Sequence, residues 1–170
     1  MSVNLSKRQL LDVEFRLSLV ELLRQRDLDP KWITLEITER HSLLGQAQGR
    51  QRLEELAACG FGLSMDDFGS GYSSFDLVGE ISFSELKIHR GLIRPGNTPR
   101  GQRILAAIVE MGRTLDLRVV AEGVEDEITQ AMLTALGADK LQGYLFSKPL
   151  QAGAFLRFAE RYRAKLRRAA

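Results

Sequence analysis

The chain has 170 residues, of which 44% are hydrophobic, 27% charged and 7% aromatic. Such proportions belong to a soluble globular domain and argue against disorder, collagen-like repeats and coiled coil. With 24 Lys and Arg against 22 Asp and Glu, the net charge of +2 gives no global case for nucleic acid or membrane attraction. One cysteine, Cys59, excludes an internal disulfide framework and argues against a Cys-rich zinc site. No apolar run approaches the roughly 20 residues that cross a bilayer, and residues 1–7 lack the apolar stretch of a secretion signal. The expectation is one cytoplasmic domain over residues 1–170, large enough to bury its own core.

Short apolar runs alternate with longer helical patterns. Strands are expected at residues 2–5, 32–39, 62–67, 84–89, 117–122 and 140–145. Between the third and fourth, residues 72–79 leave room for only about two helical turns. Ile104, Ile108, Met111 and Leu115 form one helical stripe, and Ile128, Ala131, Met132 and Ala135 a second. Phe155, Phe158, Ala159, Tyr162 and Leu166 form a third, in the last helix. Gly60, Gly112 and Gly137 fall where helices would end or bend. Strand–helix alternation implies parallel pairing, hence an α/β sheet or barrel.

Within these strands polar and apolar residues alternate, unlike the continuous Val/Ile/Leu of parallel strands covered on both faces. Val3 and Leu5 flank Asn4; Leu35 and Ile37 flank Glu36; Leu86 and Ile88 flank Lys87. Met65 precedes Asp66 and Asp67, Glu122 follows Ala121, and Gln142 follows Leu141. Successive strand side chains face opposite ways, so each strand offers an apolar face to helices and a polar group to the other side, usually near its carboxyl end. That pattern fits a TIM-type (β/α) barrel, where polar groups at strand ends converge. An open doubly wound sheet lacks support, because no strand is followed by GxGxxG or a P-loop. The triplet Asp67-Phe68-Gly69 stands without the Gly-rich loop and HRD that a kinase needs.

Asn4, Glu36, Asp66, Asp67 and Glu122 are a set of oxygen donors on separate strands. Such donors, without Cys or paired His, favour the hard cations Mg²⁺ or Mn²⁺ over zinc. Adjacent aspartates suit a pair of ions about 3.5–4 Å apart, which would activate a water and stabilise charge on a phosphate. Lys87, pointing into the same space, would hold that water or a phosphoryl oxygen, and Gln142 and Tyr144 would hydrogen-bond to and stack on a base. Phosphodiester hydrolysis is the chemistry this set favours. Plainer readings stand beside it. Asp66-Asp67 also suits a solvated loop, Glu36 an edge-strand surface, Lys87 a structural partner for a carboxylate such as Glu122, and Gln142 and Tyr144 ordinary barrel packing. His41 reads as a loop or helix-start residue, Cys59 as packing at a helix end, and the run from Arg157 to Arg168 as a solvated basic face.

Five ordered segments carry a resemblance: Leu35-Glu36-Ile37-Thr38-Glu39, Asp66-Asp67-Phe68-Gly69-Ser70-Gly71-Tyr72-Ser73-Ser74, Leu86-Lys87-Ile88, Ala121-Glu122-Gly123-Val124-Glu125 and Gln142-Gly143-Tyr144-Leu145-Phe146-Ser147-Lys148-Pro149. Together they resemble the EAL domain, a family of bacterial phosphodiesterases that linearise cyclic di-GMP to pGpG with Mg²⁺ or Mn²⁺; Val3-Asn4-Leu5-Ser6 is similar to its metal-binding Asn strand. The resemblance implies that Asn4, Glu36 and Asp66 hold one metal, and that Asp66, Asp67 and Glu122 engage the second. It also implies that Lys87 and Glu122 act in catalysis, that Gln142 sits at the substrate, and that Glu39 anchors the loop 69–74, which links dimerisation to activity.

Two departures bear on what to expect. The namesake Glu-Ala-Leu motif precedes the Asn strand in the family and has no counterpart in these residues, so the fold expected is an incomplete TIM-type barrel of about six strand–helix units, the C-terminal two-thirds of the family's barrel. The family's Lys-x-Asp reads Lys87-Ile88-His89 here, placing an imidazole where a carboxylate would be; His89 reads as a tolerated substitution rather than a new ligand. A weakened two-metal site and impaired hydrolysis are expected, with an inactive regulatory module that binds cyclic di-GMP or a protein as the alternative. Open sheet edges would pair with a second copy, in a homodimer, or with a complementary chain.

Overall fold

The computed structural model describes residues 1–38, 47–70 and 78–169. Strands β1 (Ser2–Asn4), β2 (Thr34–Thr38), β3 (Gly62–Phe68), β4 (Glu85–Ile88), β5 (Arg118–Ala121) and β6 (Lys140–Leu141) lie side by side in chain order, every pair parallel. Unbroken sequential order makes each crossover turn the sheet the same way, so it curls into an arc of a TIM-type barrel. Its first and last strands, β1 and β6, are edges in this sheet.

The expected alternation sets the two faces. Leu35, Ile37, Leu63, Met65, Leu86, Ile88, Val119 and Ala121 belong to one continuous core under the helices. Each fully buried Leu or Met of this row is worth about 1.5–3 kcal/mol. The opposite face carries Glu36, Ser64, Glu85 and Lys87, all buried and polar, with Glu36, Ser64 and Glu85 side by side in register. Glu85 finds its countercharge in Lys140, at 2.8 Å across the sheet.

Local signals account for the helix starts. Ser6 and Gln9 form a capping box on α1 (Lys7–Leu11), and Asp12 caps α2 (Val13–Gln25). Helix α3 spans Ala47–Ala58 and the short α4 Arg90–Ile93. Thr98 and Pro99 open α5 (Pro99–Thr114), and Asp126 opens α6 (Glu127–Leu136), which ends at Gly137 with φ of +88°. The last helix, α7, covers Ala152–Ala169. No helix among the described residues is long and apolar enough to cross a membrane.

Several expectations shift. On α5 the buried face is Leu105, Ile108, Val109 and Gly112, leaving Ile104 and Leu115 exposed. Gly112 explains the rotation: a Cβ there would lie 2.2 Å from Val119 Cγ2, so this side of the helix presses on the sheet. On α6, Thr129 and Leu133 are buried while Ile128, Ala131 and Ala135 face out, because the row containing Leu133 and Leu136 offers more apolar area than the alanines. On α7, Phe158 and Ala159 are half-buried but Phe155 and Tyr162 are exposed. Cys59 ends its helix exposed rather than packed, and the basic residues Arg157, Arg161 and Arg163 are exposed. Trp32 belongs to a 3-10 turn, Pro30–Trp32, capped by Asp29. The strand β6 ends at Leu141, four residues early, and Val124 N–H donates to Gln142 O and Leu145 N–H to Val124 O in its place.

The Asp126 cap gives a pH prediction. Hydrogen bonds from Thr129 N–H and Oγ1–H hold its carboxyl below the ordinary value. A lowered folded pKa contributes stability above the unfolded value that is lost as pH falls through the folded one. Thermal melts between pH 2 and 5 should therefore show Asp126→Asn losing less stability on acidification than the wild type.

Candidate metal centre

In a regular strand Asp66 and Asp67 would point to opposite faces. The β3–β4 register slips between Met65 and Phe68, and Asp67 takes the left-handed conformation with φ of +60°. Asp67 N–H donates to Asp66 Oδ1 at 3.0 Å inside this bulge. The kink turns both carboxylates to one side, where ligand oxygens of Asp66, Asp67 and Glu122 all lie within 4.8 Å of one another.

Lys87 sits at the middle of the cluster. Its Nζ lies 2.7 Å from Glu122 Oε1, 3.0 Å from Glu36 Oε1 and 3.0 Å from Asp66 Oδ1, and the residue is only 4% exposed. Burial alone would favour a neutral amine. The bonds to Glu122, Glu36 and Asp66 outweigh it and hold the pKa above the ordinary lysine value. Burial pushes the Glu122 carboxyl up; Lys87 opposes this, while the charges of Asp66 and Asp67 add to it. One ammonium thus faces Glu36, Asp66, Asp67 and Glu122, leaving net negative charge at the strand ends. Hard oxygen donors with surplus negative charge fit a divalent cation of the Mg²⁺ or Mn²⁺ type.

The structure brings together Glu36, Asp66, Asp67, Lys87 and Glu122 as expected. Asn4 is exposed on β1, in register with Glu36. Gln142 lines a polar cleft of about 320 Å³ with Asp67 and Glu122. Tyr144 does not line that cleft. It is 61% exposed and borders a larger groove with Phe155, Phe158 and Tyr162 of α7. Glu39, His41 and positions 71–74 of the anchored loop lie outside the described residues. The residue-level reading missed Arg90 and Gly143, which also line the cleft; Gly143 stands beside Gln142, but nothing in the local pattern of Arg90 marked it.

Asp67 carries two separable requirements, charge and backbone. Asn tolerates the left-handed region, so Asp67→Asn should melt near the wild type while losing at least tenfold in Mn²⁺ affinity by calorimetry. Asp67→Val should lower stability by about 1–3 kcal/mol through backbone strain.

The family model described as the EAL domain matches residues 1–149. The bifunctional diguanylate cyclase/cyclic di-GMP phosphodiesterase MucR of Pseudomonas aeruginosa is 41% identical over 156 residues, 91% of this chain and 23% of its own length. The solved MucR phosphodiesterase, a complex with c-di-GMP, superposes with a TM-score of 0.81 at 41% identity over 91% of this chain and 63% of that one. The cyclic di-GMP phosphodiesterase RocR of the same organism is 37% identical over 136 residues, 79% of this chain and 35% of its own. Klebsiella pneumoniae BlrP1, solved with manganese and cyclic di-GMP, gives a TM-score of 0.81 at 31% identity over 87% of this chain and 38% of that one. The chain therefore spans about a fifth to a third of the length of the curated relatives it matches. With a parallel arc of six strands, a carboxylate cluster at their ends and a family match over most of its length, the chain belongs to the EAL domain family.

Proposed function

We propose that residues 1–170 form one unit of the cyclic di-GMP phosphodiesterase class, converting cyclic di-GMP to linear pGpG by exchanging one phosphodiester bond for water. The carrying observation is the cluster in which Lys87 bridges Glu36, Asp66 and Glu122 beside Asp67. Asn4, Glu36 and Asp66 would hold one divalent ion, and Asp66, Asp67 and Glu122 the other. Such ions, Mg²⁺ or Mn²⁺, supply water activation and charge stabilisation when bound. Lys87 keeps its proton under the field of these carboxylates, so it serves as a hydrogen-bond donor that orients the attacking water or a phosphoryl oxygen, and not as a base. Burial raises the pKa of Glu122, which disposes this carboxyl to carry a proton. Gln142 offers amide hydrogen bonds to a base from the cleft wall, and Tyr144 an exposed ring for stacking.

Activity of this chain by itself is inferred to be impaired. Asn4 lies on the open edge β1, next to an apolar groove lined by Val3, Phe15, Leu19 and Leu22. An edge strand with an adjoining apolar groove favours pairing with a second copy or a complementary chain. Sedimentation should then show a dimer or larger species. The alternative, a regulatory module without turnover, is favoured by Lys87, whose ammonium already takes up part of the carboxylates' charge.

Hydrolysis of cyclic di-GMP with Mn²⁺ tests the reading. Turnover that falls at least a hundredfold in Glu36→Ala, with linear pGpG as product, supports catalysis. Binding of cyclic di-GMP without turnover supports the regulatory module, and neither binding nor turnover would sink both.

A further inference from the structure

We infer that His89 is a substrate-binding residue whose ring N–H is held ready for a phosphoryl oxygen of the nucleotide. This rests on the phosphodiesterase reading above and assigns a contact that reading does not contain.

The ring is mounted from both ends. His89 N–H donates to Phe68 O at 3.2 Å, pinning its backbone beyond β4, and its Nδ1 accepts the Gly91 N–H at 3.1 Å. A neutral imidazole that accepts at Nδ1 carries its proton on Nε2. Gly91 is part of the mount, since a Cβ there would stand 2.9 Å from Nδ1. Nε2 lies in the polar cleft, 3.9 Å from Asp67 Oδ1, too far for a direct hydrogen bond. Among the described residues no other carboxylate comes within 4.0 Å of it.

A fixed donor with no acceptor among the described residues suits an anionic oxygen and not a cation, once divalent ions offset the charges of Asp67 and Glu122. As a metal ligand the ring fails on both nitrogens: Nδ1 is engaged by Gly91, and Nε2 holds a proton in place of a lone pair. Arg90 lines the same cleft and adds positive charge for the same anion. An N–H bond to a charged phosphate oxygen is worth about tenfold or more in affinity.

The test uses the whole chain with Mn²⁺, with inorganic phosphate and cyclic di-GMP as probes. Side-chain ¹⁵N–¹H correlation of the wild type should place the proton on Nε2; a proton on Nδ1 overturns the inference. His89→Ala should weaken phosphate about tenfold while changing Mn²⁺ affinity less than about twofold, and His89→Gln, which keeps an N–H, should recover most of the loss. Gly91→Ala, which displaces the ring without removing it, should match His89→Ala. A tenfold loss of Mn²⁺ affinity in His89→Ala would make the ring a ligand and overturn the inference, as would unchanged phosphate binding. A wild type that takes phosphate but not cyclic di-GMP overturns the substrate reading and this inference with it, whereas a wild type that takes cyclic di-GMP while His89→Ala binds it equally well overturns this inference alone. A wild type that takes neither probe overturns both.

Discussion

Lys87→Met should lower the stability of the metal-free chain by about 3–5 kcal/mol, a fall in Tm of roughly 10 °C. The reason is what stays behind. Methionine fills the space of the stem, but Glu36, Asp66 and Glu122 lose the ammonium that now stands 2.7–3.0 Å from each. Breaking a buried ion cluster by removing one member leaves uncompensated charge, which costs far more than the intact cluster contributes. The loss should depend on pH. Without Lys87 the Glu122 carboxyl, already raised by burial, rises further in the folded state. A carboxyl with a raised folded pKa destabilises progressively as pH climbs through and above the ordinary carboxylate range. The gap between wild type and variant should therefore be wider at pH 8 than at pH 5. Mn²⁺ should restore more stability to Lys87→Met than to the wild type, since a divalent ion replaces the missing positive charge. Equal Tm shifts with Mn²⁺ in both proteins would show that the lysine and the metal do not answer to the same carboxylates.

The second large effect is expected at Gly143. A Cβ at this position would lie 2.0 Å from Val124 O and 2.3 Å from Val124 N, both backbone atoms. A methyl group cannot be accommodated there by a rotamer change. The crossing of the two chains must open, straining the bonds from Val124 N–H to Gln142 O and from Leu145 N–H to Val124 O. Gly143→Ala should cost about 3 kcal/mol, at the upper end for overpacking, and lower Tm by roughly 6–12 °C. Because Gln142 is adjacent and Glu122 lies two residues before Val124, cyclic di-GMP binding and Mn²⁺ affinity should fall together. Gly79→Ala is the control. Nothing lies within 4 Å of a Cβ there, so its stability should stay level or rise by about 0.4–1 kcal/mol.

Much of the site was legible because its signals are short-range in sequence. Glu36 between Leu35 and Ile37, and Lys87 between Leu86 and Ile88, announce a polar face by period-two alternation alone. Alternation does not account for Asp66 and Asp67 together; the slipped register and the left-handed Asp67 place both carboxylates on one side. Lys87 was expected near the oxygen donors, and its pairing with Glu122 was an open alternative. Its simultaneous grip on Glu36, Asp66 and Glu122 depends on four strands, β2 to β5, meeting. Tyr144, two residues beyond Gln142, lines the groove against α7 that Gln142 shares and not the polar cleft, because the chain has already left the strand.

Helix faces divide along the same line. Ser6, Asp12, Thr98 and Asp126 each cap a helix by accepting the backbone N–H three residues on, a signal contained in the adjacent sequence. Which side of α5 met the sheet was decided by Gly112 against Val119, a pair that spacing within the helix does not contain.

The amino-acid sequence by itself determined the parallel strand–helix order, the helix starts and the roster of oxygen donors on one face, because period, capping and residue chemistry act over a few neighbouring positions. Tertiary structure alone decided the bulge at Asp67 and the position of Lys87 among its carboxylates. Each of these is set by close approach and register, which arise only when the folded chain fixes its elements against one another.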